Sequence, residues 1–137
     1  QTDTQMARAG INKTSLARFG GQVHCFMSDP DVAAEAKSRG VTRAWVSMEK
    51  AAQLKKPCIF AIGNAPTALL SLEQLMEEGK AAPALIIGVP VGFVNVEISK
   101  ERIIEKARAP YIVARGRKGG SNVAAAICNA LLYQIKR

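Results

Sequence analysis

Residues 58–79, "CIFAIGNAPTALLSLEQLMEEG", contain an apolar run, a break and an amphipathic segment in immediate succession. The first six residues are apolar or small, as in a strand buried on both faces. The chain breaks at Gly63 and Asn64, and beyond Pro66 its leucines recur at helical spacing until Gly79. A buried strand that turns directly into a helix predicts a parallel α/β sheet, with a polar or anionic ligand above the break.

The same alternation continues towards the C-terminus. "ALIIGVP" and "PYIVARG" predict two more strands, and "SKERIIEKAR" and "GGSNVAAAICNALLYQIK" predict the helices that follow them. Short parallel strands can be joined only by crossover elements, so helices must cover both faces of the sheet. We therefore predict an α/β fold: a Rossmann-like, doubly wound and mainly parallel sheet in a single domain over residues 1–137.

The segments before residue 58 extend this pattern. Residues 22–27, "QVHCFM", predict a strand, and the next helix has Asp29 as its N-cap and Gly40 as its stop. A further helix is predicted from about Thr42 and must end before Pro57. Residues 2–13 are typical of a helix that follows a strand outside this chain.

Composition limits the classes of function. The 137 residues carry a formal charge of +8, which predicts an anionic partner. There is no basic run, aromatic residues are scarce, and no apolar stretch is long enough to span a bilayer. These features argue against nucleic-acid and membrane partners. Three cysteines without CxxC spacing predict reduced packing residues, and hence a cytoplasmic location.

Three strand-to-helix loops are the candidate binding elements: residues 63–67, 88–92 and 115–121. Each combines glycine with a helix start, which favours an anionic or polar group. For a single loop, turn geometry alone explains such residues equally well, but three loops on one edge weaken that reading. None matches a nucleotide-binding motif. Arg115, Arg117 and Lys118 in the last loop suit carboxylate or phosphate oxygens, as does Arg43.

A catalytic group is harder to find. His24, the only histidine, lies in a predicted strand and is better explained by packing than by catalysis. No Ser-His-Asp set, metal-binding motif or paired carboxylates can be assembled from the spacing. The residues alone predict a binding site without a catalyst and without a metal.

Three long segments together resemble the precorrin-8X methylmutase (precorrin isomerase) family: "AIGNAPTALL", "PALIIGVPVGFVNVEISKE" and "PYIVARGRKGGSNVAAAICNALL". "TDTQMARAGI" and "RGVTRAW" are similar to further family motifs, so the resemblance covers nearly the whole chain. It implies an isomerase that moves a methyl group from C-11 to C-12 of the corrin macrocycle, giving hydrogenobyrinate or cobyrinate in vitamin B12 biosynthesis. It implies no cofactor, a polycarboxylate corrinoid substrate and a homodimer.

The resemblance also implies roles for individual residues. The guanidinium groups of Arg43 and Arg117 would hold carboxylate arms of the substrate. The strand-to-helix loops would line the macrocycle pocket, and Asp3 and Met6 would lie near its entrance. After Gly10 the family often has a Val-Thr-Arg type sequence; in its place Asn12 and Lys13 would hydrogen-bond and hold a carboxylate, although lysine lacks the bidentate fork of arginine. The full set of predicted substrate-binding residues is Asp3, Met6, Asn12, Lys13, Arg43, Gly63, Asn64, Thr67, Gly88, Pro90, Gly92, Arg115, Arg117, Gly119 and Gly120.

The family's catalytic histidine is expected upstream of Gln1, so no catalytic residue is predicted within the chain, and this fragment alone is predicted to be inactive. The alternative is a non-catalytic relative that binds a corrinoid, a tetrapyrrole or another polyanion with the same loops. A nucleic-acid module is the weaker form of that alternative, because base-stacking aromatic residues are nearly absent.

Overall fold

The computed structural model describes residues 1–17, 21–54, 58–92, 95–106, 109–116 and 118–134. These ranges contain seven helices and three strands. From the first strand onward, three strands alternate with three helices, as the apolar pattern predicts. In chain order the elements are α1 (Gln5–Gly10), α2 (Lys13–Ala17), α3 (Pro30–Arg39), α4 (Arg43–Ala52), β1 (Ile59–Ile62), α5 (Pro66–Glu77), β2 (Leu85–Gly88), α6 (Val96–Lys106), β3 (Tyr111–Val113) and α7 (Ser121–Gln134).

The three strands form one parallel sheet in the order β1-β2-β3. Ile59 pairs with Leu85, and Ile86 pairs with Tyr111. Beside the free edge of β1, Thr2 forms a single parallel bridge with Ala61. All three strands therefore end at the same edge, where the loops to α5, α6 and α7 begin.

Side chains alternate between the two faces of this sheet. Phe60, Ile62 and Ile86 belong to a core that includes residues of α4, α5 and α6. Ala61 and Ile87, one position along each strand, pack with α7 instead. Helices thus cover both faces, which confirms the predicted α/β architecture. Among the described helices, none is long and apolar enough to cross a membrane.

Local signals in the sequence account for most helix ends. Pro30 occupies the first turn of α3, and Gly40 ends it in the left-handed region with φ of 69°. Thr42 caps α4 by accepting a hydrogen bond from the Trp45 amide, and Gly79 follows α5 with φ of 75°. The predicted boundaries of these three helices are confirmed.

Two predictions for the first 30 residues are wrong in detail. Residues 22–27 form no strand, because Gln1 and Thr2 occupy the edge of β1. Residues 22–27 lie outside them, where the Thr2 amide donates to the His24 carbonyl at 2.9 Å. Residues 2–13 form not one helix but α1, capped by Thr4, and the start of α2. Asp29 does stand at the N-cap of α3, yet its carboxylate accepts from Lys50 rather than from the helix.

Candidate functional site

The loops that follow the three strands lie against one another at the carboxyl edge of the sheet. The Val89 amide donates to the Ile62 carbonyl at 2.8 Å, which joins the second loop to the end of β1. The Gly120 amide donates to the Val89 carbonyl at 2.9 Å, which joins the third loop to the second. The structure therefore brings all three candidate loops together.

Two glycines permit this close approach. A Cβ atom at Gly63 would lie 2.6 Å from the Gly120 carbonyl oxygen and 2.7 Å from the Ser121 Cα. A Cβ atom at Gly119 would lie 2.1 Å from the Val89 carbonyl oxygen. Since the obstructing atoms belong to the backbone, any side chain would force the loops apart.

The group above the break at residues 63–64 is a carboxylate of the chain itself. Asp3 is fully buried, and its Oδ1 accepts from the Gly63 amide at 2.9 Å. Its Oδ2 accepts from the amides of Asn64 and Ala65 at 2.9 and 2.6 Å. These are the amides at the start of α5, where the helix dipole also favours negative charge. Asp3 thus fills the anion site that the sequence of this loop predicts.

Two opposing effects act on this carboxyl group. Burial raises the pKa of Asp3 above its ordinary value, because the ionised form loses its hydration. The three amide hydrogen bonds lower the pKa and offset part of that effect. The net effect is a raised pKa for Asp3, because burial outweighs the amide hydrogen bonds.

The N-termini of three longer helices meet around these loops. The Thr42 hydroxyl at the start of α4 donates to the Thr67 hydroxyl in the first turn of α5 at 3.1 Å. The hydroxyls of Thr4 and Ser121 share a hydrogen bond of 2.8 Å, which places the start of α7 beside Thr4, the residue that follows Asp3. Because helix N-termini carry partial positive charge, this edge attracts anions. Arg43, in the first turn of α4, is exposed there.

The loop before α7 is held by two consecutive residues of α6. The Lys100 ammonium donates to the carbonyls of Gly116 and Lys118, both at 2.8 Å, and the Lys100 side chain is fully buried. Glu101 forms an exposed ion pair with Arg115 at 3.3 Å. Sequence reasoning missed both residues, because "SKERIIEK" is typical of a solvated helix face and contains no signal for a buried lysine.

Among the described residues, no group of three histidine, cysteine or acidic side chains could hold a metal ion. A cavity of about 240 Å³ is lined by Glu73, Met76, Glu77 and Lys106. These residues lie in the last turns of α5 and α6, at the opposite edge of the sheet from the loops. The cavity is therefore separate from the candidate site.

The model of the precorrin-8X methylmutase family matches residues 1–134. The chain belongs to this family. A cobalt-precorrin-8 methylmutase from Priestia megaterium is 50% identical over 94% of the chain, and one from Salmonella typhimurium is 48% identical over 98%. The chain spans 57% and 62% of the length of these two relatives, respectively.

Solved structures of the family agree in fold. A precorrin-8x methyl mutase from Thermus thermophilus superposes with a TM-score of 0.87 at 40% identity, covering 96% of this chain and 63% of that one. A precorrin-8X methylmutase related protein also has a TM-score of 0.87, at 33% identity, covering 98% of this chain and 70% of that one. The three-stranded sheet and its helices are thus those of the methylmutase fold.

The predicted methylmutase site residues fall into two groups in the structure. Most lie at the carboxyl edge of the sheet, where the three loops meet, which we call the loop edge. Asn64, Gly92 and Arg115 are exposed there, whereas Gly63, Gly88 and Pro90 are buried beneath. Thr67, Gly119 and Gly120 are partly buried, and Arg117 lies outside the described residues. Met6 is exposed on α1, close to the Thr4–Ser121 contact.

Asn12 and Lys13 lie away from the loop edge. The Asn12 amide donates to Asn129 Oδ1 at 2.7 Å, which is eight residues, or about 12 Å, along α7 from Ser121. The Lys13 ammonium donates to the carbonyls of Arg8, Ala9 and Ile11 at the end of α1. Both side chains make structural contacts, and their role towards a methylmutase substrate stays a prediction.

Proposed function

We propose that the complete gene product carrying this chain is a precorrin-8X methylmutase, an isomerase that moves a methyl group from C-11 to C-12 of a corrin macrocycle. The observation that carries this proposal is the match of the family model to residues 1–134. The named relatives, which include cobalt-precorrin-8 methylmutases from two bacteria, support the same reaction class.

The charge pattern of the loop edge supports a polycarboxylate substrate. Three helix N-termini meet there, and Arg43, Arg115 and Lys118 expose cationic side chains on it or beside it. A guanidinium group can bind a carboxylate through two parallel hydrogen bonds, so separate arginines suit the separate acid arms of a corrinoid. The net charge of +8 favours the approach of such a substrate.

The contribution of this chain is binding and shape. Gly63 and Gly119 let the three loops pack directly against one another, which supports a continuous floor for a flat macrocycle. The exposed basic groups would then fix the orientation of the ring through its arms. The proton required by the methyl shift is assigned to the histidine that the family carries upstream, and no cofactor takes part.

We extend the proposal to a homodimer in the cytoplasm. Apolar side chains of α7, including Val123 and Tyr133, are exposed, which supports a partner on that helix. The three cysteines are free, which supports a reducing compartment. Light scattering coupled to size-exclusion chromatography tests the dimer, and a monomeric mass would refute it.

The test of the function uses the complete gene product and purified precorrin-8X, followed by visible absorbance. Conversion to the rearranged chromophore supports the methylmutase. Binding without any spectral conversion would refute it and identify a non-catalytic corrinoid-binding relative instead.

A matched pair of variants tests the proposed recognition of carboxylates. Arg43→Gln removes a charge at the loop edge, and we expect KM to rise by about tenfold, the factor for one lost charge-assisted hydrogen bond. Lys80→Gln removes the same charge from an exposed position after α5, at the opposite edge. Equal KM values for the two variants would contradict recognition by Arg43.

A further inference from the structure

Lys100 is a fully buried basic residue of α6, and its ammonium donates to two carbonyls of a neighbouring loop. The Nζ atom lies 2.8 Å from the carbonyl oxygen of Gly116 and 2.8 Å from that of Lys118. Burial lowers the pKa of Lys100, an effect that nearby Glu97 opposes. A lysine is rarely placed in such a position unless its hydrogen bonds are needed there.

The two carbonyls belong to Gly116 and Lys118, in the loop before α7. Gly116 has φ of 85°, in the left-handed region that favours glycine. Further along the loop, the Gly120 amide is fixed by the Val89 carbonyl at 2.9 Å. The loop is therefore held at two points, one a side chain of α6 and the other the backbone after β2.

The neighbouring residue of α6 reaches the same loop. Glu101 pairs with Arg115 at 3.3 Å, but both side chains are more than half exposed, so this contact stabilises the loop only weakly. Lys100 is the stronger of the two contacts, because buried charge-assisted hydrogen bonds are shielded from competing water.

We propose that Lys100 is a positioning residue for substrate binding, which fixes the backbone at Gly116 and Lys118 so that the basic side chains of Arg115 and Lys118 meet carboxylate arms of the corrin substrate. This inference rests on the proposed function. Lys100 acts through the loop and touches neither the substrate nor the reacting atoms.

Two physical effects make the ammonium necessary. Two carbonyl oxygens directed at one point repel each other and would repel a substrate carboxylate nearby. The ammonium satisfies both oxygens and cancels their negative potential at the binding edge. Without it, we expect the loop to turn its carbonyls towards water and carry its basic side chains away from the substrate arms.

The experiment compares Lys100→Met with Lys106→Met in the complete gene product. Both changes remove one charge from α6, but the Lys106 side chain is 52% exposed and lies at the other end of the helix. The readouts are kcat and KM for precorrin-8X and the Kd for hydrogenobyrinate by absorbance titration. We expect Lys100→Met to raise KM and Kd by about tenfold or more while kcat changes by less than about threefold. Lys106→Met should leave all three constants unchanged.

The outcomes separate this inference from the proposed function. If the wild-type protein converts precorrin-8X and Lys100→Met leaves KM and Kd unchanged, or lowers only kcat, the inference is overturned and the function stands. If the wild-type protein binds hydrogenobyrinate without converting precorrin-8X, the function fails and the Kd of Lys100→Met alone decides the inference. A wild-type protein that neither converts nor binds overturns both.

A second variant covers a failure of Lys100→Met to fold. Lys100→Gln keeps the side chain polar but removes the ammonium charge that the inference requires, so it tests the same role with a smaller change in packing. It is judged by the same constants: a raised KM and Kd support the positioning role, and wild-type values overturn it.

Discussion

Replacing Asp3 by asparagine tests whether the first loop depends on a carboxylate of its own chain. Asparagine has the same shape but only one acceptor oxygen. If that oxygen takes the place of Oδ2, the amides of Asn64 and Ala65 stay bound, and the NH₂ group of the new side chain faces the Gly63 amide. A donor then opposes a donor at a site that is fully buried.

The expected magnitude follows from this geometry. Burial raises the pKa of Asp3 despite three amide bonds, so the expected loss is worked from the hydrogen bonds and not from the charge. What is lost is one partner for a buried N–H group, which costs about 1–3 kcal/mol. We therefore expect Asp3→Asn to lower the free energy of unfolding by about 2 kcal/mol at neutral pH. Asp3→Ala, which leaves all three amides without the carboxylate, should lower it further.

The assay is equilibrium unfolding in urea, followed by circular dichroism, on the complete gene product. Asp31→Asn is the matched control, since its carboxylate is 67% exposed and pairs with Lys50. We expect the control to change stability far less than Asp3→Asn. The reasoning is refuted if the two variants have the same unfolding midpoint and slope, because the amides of the first loop would then be satisfied without Asp3.

Further outcomes follow from the same contacts. The difference in unfolding free energy between the wild type and Asp3→Asn should widen as pH falls towards about 4, because the raised pKa of folded Asp3 makes the folded wild type bind a proton more tightly than the unfolded chain does. Urea titrations at several pH values measure this difference, and a constant difference would contradict the prediction. Gly63→Ala should lower the unfolding free energy by about 2 kcal/mol or more and raise KM, since its Cβ would meet backbone at 2.6 Å. Gly40→Ala, with φ of 69° and no atom within 4 Å of its Cβ, should lose only about 1 kcal/mol and keep its KM. Thr42→Val should lose about 1 kcal/mol through the missing helix cap, measurable as a lower thermal midpoint.

The alternation of apolar strands with helices was predictable from the sequence because it depends on residues that are close together in the chain. Ile59–Ile62 and Leu85–Gly88 are short apolar runs, and Gly63 follows the first of them directly. Each of these signals lies within a few residues of the element that it specifies. The sheet, its loops and its two covered faces were therefore predictable without knowledge of distant contacts.

The contacts that complete the loop edge were not predictable in this way. Asp3 binds amides 60 or more residues away, and Lys100 binds carbonyls 16 and 18 residues away in a different element. Periodicity places Lys100 on a helix but does not reveal that its ammonium is buried. The strand predicted at 22–27 is absent for a similar reason. The edge of β1 is occupied by Gln1 and Thr2, which are distant from β1 in the sequence, and the local pattern of residues 22–27 does not reveal this.

Asp3 and Lys100 together change the expected mode of recognition. A carboxylate takes the amides of the first loop, and an ammonium takes the carbonyls of the third, so the backbone polarity of both loops is satisfied within the protein. Amides already bound to Asp3 cannot also bind a substrate carboxylate unless Asp3 moves. We therefore expect the acid arms of the substrate to be recognised by exposed cationic side chains such as Arg43 and Arg115. In this arrangement the first loop shapes the pocket, and its sequence signal for an anion is explained by the anion that the chain itself supplies.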